Sequence, residues 1–146
     1  MGYDWLMGEY AVADDNVMRS ILQSAKCIAV VGLSDKPDRP SHGVSRYLQA
    51  HGYSIIPVNP RIDEALGAPA VSSLSQVQCQ IDIVNVFRQS HEVAAIVEEA
   101  IAHGAKAVWL QLGVVNELAC KVASSAGLTV VQDRCILVEH QRLIGK

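Results

Sequence analysis

Cys27-Ile28-Ala29-Val30-Val31-Gly32-Leu33-Ser34 decides the fold. Its first five residues are apolar without alternation, the mark of a strand covered on both faces. Gly32 then ends the run where the chain must turn tightly or let another group come close. A strand of this kind belongs inside a parallel sheet with helices on each side. The same signature returns at residues 53–58, 82–87, 107–112 and 128–131.

The intervening segments carry helical periodicity and helix stops. An amphipathic helix begins near Asp14 or Asp15, with Val17, Ile21 and Leu22 on one face. Ser41 reads as the cap of a helix in which Val44, Tyr47 and Leu48 share a face and Gly52 supplies the stop. Ser90 caps a helix carrying Val93, Ile96, Val97 and Ile101 up to Gly104, and a further helix runs from about Asn116 to Ala126 before Gly127. Residues 67–71 add a short edge strand. The pattern predicts an α/β protein: a Rossmann-like, doubly wound, mainly parallel sheet of five to six strands in three αβα layers. Residues 1–13 form an N-terminal tail, and 14–146 the domain.

Composition narrows the function. The chain has 146 residues, 50% of them apolar, which is enough for one core. With 18% charged residues and a net charge of −3, it has no polyanion-wrapping surface, so a nucleic-acid partner is not expected. The apolar runs are strand-length, far below the roughly 20 residues that cross a bilayer, so no membrane is expected either. Residues 1–13 lack a basic leader, and the expected location is cytoplasmic. Trp5 and Leu6 in the tail offer a surface to a second copy or another protein. Cys27, Cys79, Cys120 and Cys135 contain no C-x-x-C pair and read as free thiols, and the five histidines show no metal-ligand spacing.

In a doubly wound sheet, ligands bind beyond the carboxyl ends of the strands, which singles out the loops starting at Gly32, Asn59, Arg88, Gly113 and Asp133. The first loop, 32–43, leads into a helix amino terminus, where unpaired amides attract an anion. Gly32 lets the backbone approach a ligand, Ser34 and Ser41 bring hydroxyls, and Lys36 and Arg39 bring charge. Ser34 and Pro37 stand where a G-x-G-x-x-G loop has its second and third glycines, and the second strand ends in Asn59-Pro60-Arg61 without the carboxylate that an NAD site presents to ribose. Both departures favour a nucleotide with a phosphate on its ribose, coenzyme A or NADP. Coenzyme A carries about four negative charges, of which its ribose monoester phosphate supplies about −1.5 to −2. Lys36, Arg39, Arg61, Arg88 and Arg134, five of the twelve basic residues, all follow strands.

A set of motifs in fixed order extends this pattern: Val30-Val31-Gly32-Leu33-Ser34, Arg39-Pro40-Ser41, Ile56-Pro57-Val58-Asn59-Pro60, Asp82-Ile83-Val84, Val86-Phe87-Arg88, Trp109-Leu110-Gln111-Leu112-Gly113 and Asp133-Arg134-Cys135. From about residue 20 to 143 the chain resembles the stand-alone bacterial CoA-binding proteins. These are similar in turn to the amino-terminal CoA-binding domain of the succinyl-CoA synthetase alpha subunit. The resemblance implies a small-molecule ligand, coenzyme A or an acyl-CoA. Gly32, Leu33, Ser34, Arg39 and Ser41 would surround its phosphates, Val58, Asn59, Pro60 and Arg61 its adenosine end, and Phe87 and Arg88 a further wall. The synthetase's phosphorylated histidine belongs to a second domain that the resemblance does not cover, so ligase chemistry is not implied.

No catalytic residue is assigned, and the expected role is binding, sensing or carrying. The alternatives are an NADP-dependent or CoA-transforming enzyme and an interaction domain without a nucleotide. Cys135 beside Arg134 has two readings, an inert packed thiol or one that forms a mixed disulfide with the coenzyme thiol. Glu139 and His140 read as a helix-surface pair. His42 reads either as a phosphate contact or as a solvated helix-terminal residue.

Overall fold

The computed structural model describes residues 13–145, so the tail's surface around Trp5 and Leu6 lies outside the described residues. Five strands, β1 (Cys27–Val31), β2 (Ser54–Val58), β5 (Ile83–Val86), β6 (Ala107–Leu110) and β7 (Thr129–Val131), form one sheet in the order β2-β1-β5-β6-β7, all parallel. The 67–71 segment does not extend that sheet as an ordinary edge strand. β3 (Glu64–Ala65) and β4 (Ala68–Pro69) pair with each other as a separate hairpin, and only Val71 reaches the sheet, through a parallel bridge to Val58.

Side-chain alternation along the strands assigns the helices to layers. Ile28 and Val30, Ile83, Ala107 and Trp109 pack with residues of α1 (Asp15–Ser24), α2 (Pro40–Ala50) and α5 (Ile136–Leu143). Ala29, Val84 and Val86, Val108 and Leu110 pack with α3 (Val93–His103) and α4 (Glu117–Ser125) on the other face. The protein is thus a three-layer, Rossmann-like α/β domain.

The helix ends show where local sequence signals lead astray. Asp14 caps α1 as expected, its carboxylate accepting from the Val17 amide at 2.9 Å. Val17 is 38% exposed, however, and Met18, 2% exposed, takes the core position assigned to it. Ser41 does not cap α2. Pro40 occupies the first turn, where its missing N–H costs nothing, and Arg39 is the cap residue without a side-chain bond. Ser90 does not cap α3 either: Gln89 and Glu92 form a capping box around a 3₁₀ turn that leads into it.

The strand order positions the site. The chain leaves β1 toward β2 on one side and crosses back to β5 on the other, so the connections diverge at the carboxyl ends of β1 and β5. That divergence opens the crevice in which such sheets bind ligands.

Candidate functional site at the carboxyl edge of the sheet

Gly32 sits at this crevice, where its amide donates to the Val58 carbonyl at 2.9 Å and the Phe87 amide donates to the Val31 carbonyl at 2.9 Å. Its φ is +90°, and a β-carbon placed on it would lie 2.4 Å from the Phe87 carbonyl oxygen. Only glycine fits. The loop beyond it is internally tied: the Ser34 amide donates to Ser41 Oγ at 3.0 Å, and the Lys36 amide to Ser34 Oγ at 3.0 Å. The two serines therefore shape the loop with their hydroxyl oxygens. The amides of Leu33 and Asp35 make no hydrogen bond among the described residues. The Leu33 side chain is fully buried in the core, while Lys36 and Arg39 are exposed. His42 is buried, which overturns the solvated reading, and its Nδ1 has no partner.

The second strand end is stitched to the first. Asn59 donates from Nδ2 to the Leu33 carbonyl at 2.9 Å and accepts the Arg61 amide on Oδ1 at 2.9 Å. Its side chain fixes the spacing between the two loops and turns the chain at Pro60-Arg61. Arg88, at the third strand end, grips Glu92 one helical turn on, with Nη2 2.6 Å from Oε1. That guanidinium holds the Glu92 carboxyl below its ordinary range, against the opposing effect of burial.

Two cavities meet at Arg88. A smaller one of about 330 Å³ is lined by Gly32, Val58, Asn59, Pro60 and Arg88, together with Ser72, Ser73 and Glu99. A larger one of about 730 Å³ is lined by Arg61, Phe87, Arg88 and Cys135, with Pro40, Val44, Gln111, Leu112 and Val114. Eight of the fourteen residues singled out in the sequence thus line one or both: Gly32, Val58, Asn59, Pro60, Arg61, Phe87, Arg88 and Cys135. Leu33, Ser34, Lys36, Arg39 and Arg134 belong to the adjoining loops and Ser41 to the first turn of α2, and none of the six lines either cavity.

Sequence reasoning missed Gln111, Leu112 and Val114, although the loop at Gly113 was marked as a strand end. Gln111 donates to Asn85 Oδ1 at 2.5 Å and accepts the Ile136 amide at 3.3 Å, which joins β5 and β6 to the start of α5 under the cavity. Trp109 donates from Nε1 to the Arg134 carbonyl at 2.9 Å and so anchors the last loop. The Gly113 amide donates to Asp133 Oδ1 at 2.7 Å, which ties the fourth loop to the fifth.

The reading of Glu139 and His140 as a surface pair is overturned, because both are buried where α5 packs on α1 and α2. Glu139 accepts from Arg142, which also grips Asp15 in α1. His140 Nδ1 and the Tyr47 hydroxyl are hydrogen-bonded at 2.7 Å, and the His51 ring lies 5.0 Å away. Burial, and then His51, hold the His140 ring below its ordinary value of 6.5. A histidine whose folded pKa is depressed contributes stability above its unfolded pKa and loses it as the pH falls toward the folded one. Urea unfolding at pH 7.5 and 5.5 should therefore show wild-type protein weakening over this interval more than His140→Phe; equal slopes would contradict the burial account.

A glycine-closed crevice at the switch point of a doubly wound parallel sheet, flanked by basic strand ends, defines a nucleotide-binding α/β domain. Residues 26–141 match the model of the CoA-binding domain family, and the chain belongs to that family. It is 54% identical over 123 residues to YneT of Bacillus subtilis (strain 168), covering 84% of this chain and 91% of that protein. Among solved structures it is similar to a hypothetical protein from Pyrococcus horikoshii OT3, with a TM-score of 0.88 and 41% identity over 91% of this chain and 94% of that one. It is also similar to the Thermus thermophilus protein called cell-free ID.343, with a TM-score of 0.86 and 41% identity over 90% and 99%. Among the described residues, no helix is long and apolar enough to cross a membrane, and no group of three or more His, Cys, Asp or Glu could hold a metal ion.

Proposed function

We propose that this chain binds coenzyme A or an acyl-CoA along the carboxyl edge of its sheet, as a carrier or sensing module without chemistry of its own. The phosphates lie on Gly32, Leu33, Ser34, Lys36, Arg39 and Ser41. The adenosine end takes Val58, Asn59, Pro60 and Arg61, and the pantetheine arm runs past Phe87 and Arg88 into the larger cavity toward Cys135 and Arg134. The observation that carries this reading is the pair of free amides, Leu33 and Asp35, in a loop closed by a glycine with no room for a side chain and followed by an uncapped helix end. Membership in a CoA-binding family supports the choice of ligand. The apolar walls Val44, Leu112 and Val114 suit a pantetheine chain, and Arg61 suits the ribose phosphate.

A thermal-shift panel of CoA, acetyl-CoA, 3′-dephospho-CoA, NADP and NAD tests the reading. CoA and acetyl-CoA should stabilise most, by about 2.7 kcal/mol at a hundredfold excess over Kd, and NAD should give no shift. A panel in which NADP alone stabilises would replace the assignment.

Arg39 offers the sharpest single substitution. Its side chain is exposed and caps nothing, so the fold does not depend on it. Arg39→Ala removes a charge-assisted phosphate contact of about 1.5–3 kcal/mol and should weaken CoA binding about 10- to 100-fold, with the urea midpoint unchanged. Equal affinities would put the phosphates elsewhere.

A further inference from the structure

At the amino edge of the sheet, opposite the coenzyme crevice, two thiols separated by 52 residues touch: Cys27 Sγ and Cys79 Sγ are 3.2 Å apart. Cys27 opens β1 and is buried, whereas Cys79 lies in the segment before β5 and is exposed. Several bonds hold that segment in place. The Asp82 carboxylate accepts the amides of Lys26 and Cys27 at 2.8 and 3.0 Å, and the Asp82 amide donates back to the Cys27 carbonyl at 3.0 Å. Gln80 Nε2 donates to the Gly104 carbonyl at 2.8 Å, and His103 Nε2 bonds the Val77 carbonyl at 2.8 Å. The two sulfurs meet because the backbone on each side is clamped.

We propose that Cys27 and Cys79 form a reversible dithiol–disulfide pair that is oxidised by small aliphatic disulfides. The exposed Cys79 reacts first, as its thiolate: it attacks one sulfur of RSSR, a Cys79–S–S–R bond forms, and RS⁻ leaves. Cys27 then gives up its proton and attacks Cys79 Sγ. The protein disulfide forms, and the second RS⁻ departs and is protonated. In sum, two protein thiols are oxidised and one RSSR is reduced to two RSH.

The asymmetry of the pair sets this order. Burial, then the contact with Cys79, push the Cys27 thiol up to about 12, so Cys27 is a poor first attacker. Once Cys79 carries the mixed disulfide, the 3.2 Å contact between the two sulfurs places Cys27 beside the atom it attacks. The closed bond would staple the segment before β5 to the first strand across a loop of 52 residues, a constraint on the unfolded chain. This inference is independent of the coenzyme reading.

The test uses the full chain and bis(2-hydroxyethyl) disulfide at pH 8, read by intact mass, non-reducing peptide mapping and thermal melting. Wild-type protein should lose two hydrogens, yield one cross-linked peptide joining Cys27 to Cys79, and gain about 5 °C or more in Tm that dithiothreitol reverses. Cys27→Ser should stop at a hydroxyethylthio adduct on Cys79, and Cys79→Ser should leave Cys27 unmodified. A wild-type adduct that persists on Cys79 without cross-linking overturns the proposal, as does modification of Cys27 in Cys79→Ser.

Discussion

Gly32→Ala is expected to cost at least about 3 kcal/mol of folding stability and to abolish measurable coenzyme binding in whatever protein still folds. Two penalties act together. The residue sits at φ +90°, where an L side chain is strained by about 1–2 kcal/mol. The added methyl group would also stand 2.4 Å from the Phe87 carbonyl oxygen and 2.8 Å from Arg88 Cδ. The first of these is backbone that cannot swing aside without parting β1 from β5. Any relief therefore moves Phe87, which lines the larger cavity, and Arg88, which lines both. Gly127→Ala is the matched control, since its φ is +93° but nothing lies within 4 Å of the new carbon. Urea denaturation should show it losing only about 1–2 kcal/mol. Equal losses at the two positions would mean that the close approach at Gly32 has no energetic weight.

Trp109→Ala should be the costliest core change linked to the site, at about 3–5 kcal/mol. Trp109 is fully buried in the central part of the sheet, opposite Asn85 on β5 and Val131 on β7. Its indole also holds the Arg134 carbonyl, so truncation frees the loop that carries Arg134 and Cys135. Trp109→Phe separates the two roles, since it keeps most of the packing and removes only the hydrogen bond. It should lose about 1–3 kcal/mol. Chemical denaturation alongside CoA titration reads both consequences. If Trp109→Phe proves as damaging as Trp109→Ala, packing is not the larger part.

The sheet was legible because its strands are covered on both faces. Continuous apolar runs such as Cys27–Val31 and Ala107–Leu110 admit few other readings, and the glycine stops at Gly52, Gly104 and Gly127 all carry positive φ in the structure. What was not legible depends on partners distant in sequence. Ser41 and Ser90 look like caps because the capping pattern is local, yet their oxygens go to amides at Ser34 and Val115. Glu139 and His140 look like surface residues by composition, although Ile136, Glu139, His140 and Leu143 fall at helical spacing on one face, a signal that polarity concealed. The bond by which Asn59 joins the second loop to the first was hidden too, because its partner, the Leu33 carbonyl, lies 26 positions away. Composition alone offers no hint that Cys27 and Cys79 meet, because their contact exists only once β1 and β5 pair.

The most direct measurement of the central claim is isothermal titration of CoA into protein stripped of co-purified small molecules, paired with the same titration of 3′-dephospho-CoA. Saturable uptake of one CoA per chain is expected, with weaker uptake of the dephosphorylated form, in keeping with the guanidinium at Arg61 and the absence of a carboxylate at Asn59. No heat from CoA at millimolar concentration would contradict it.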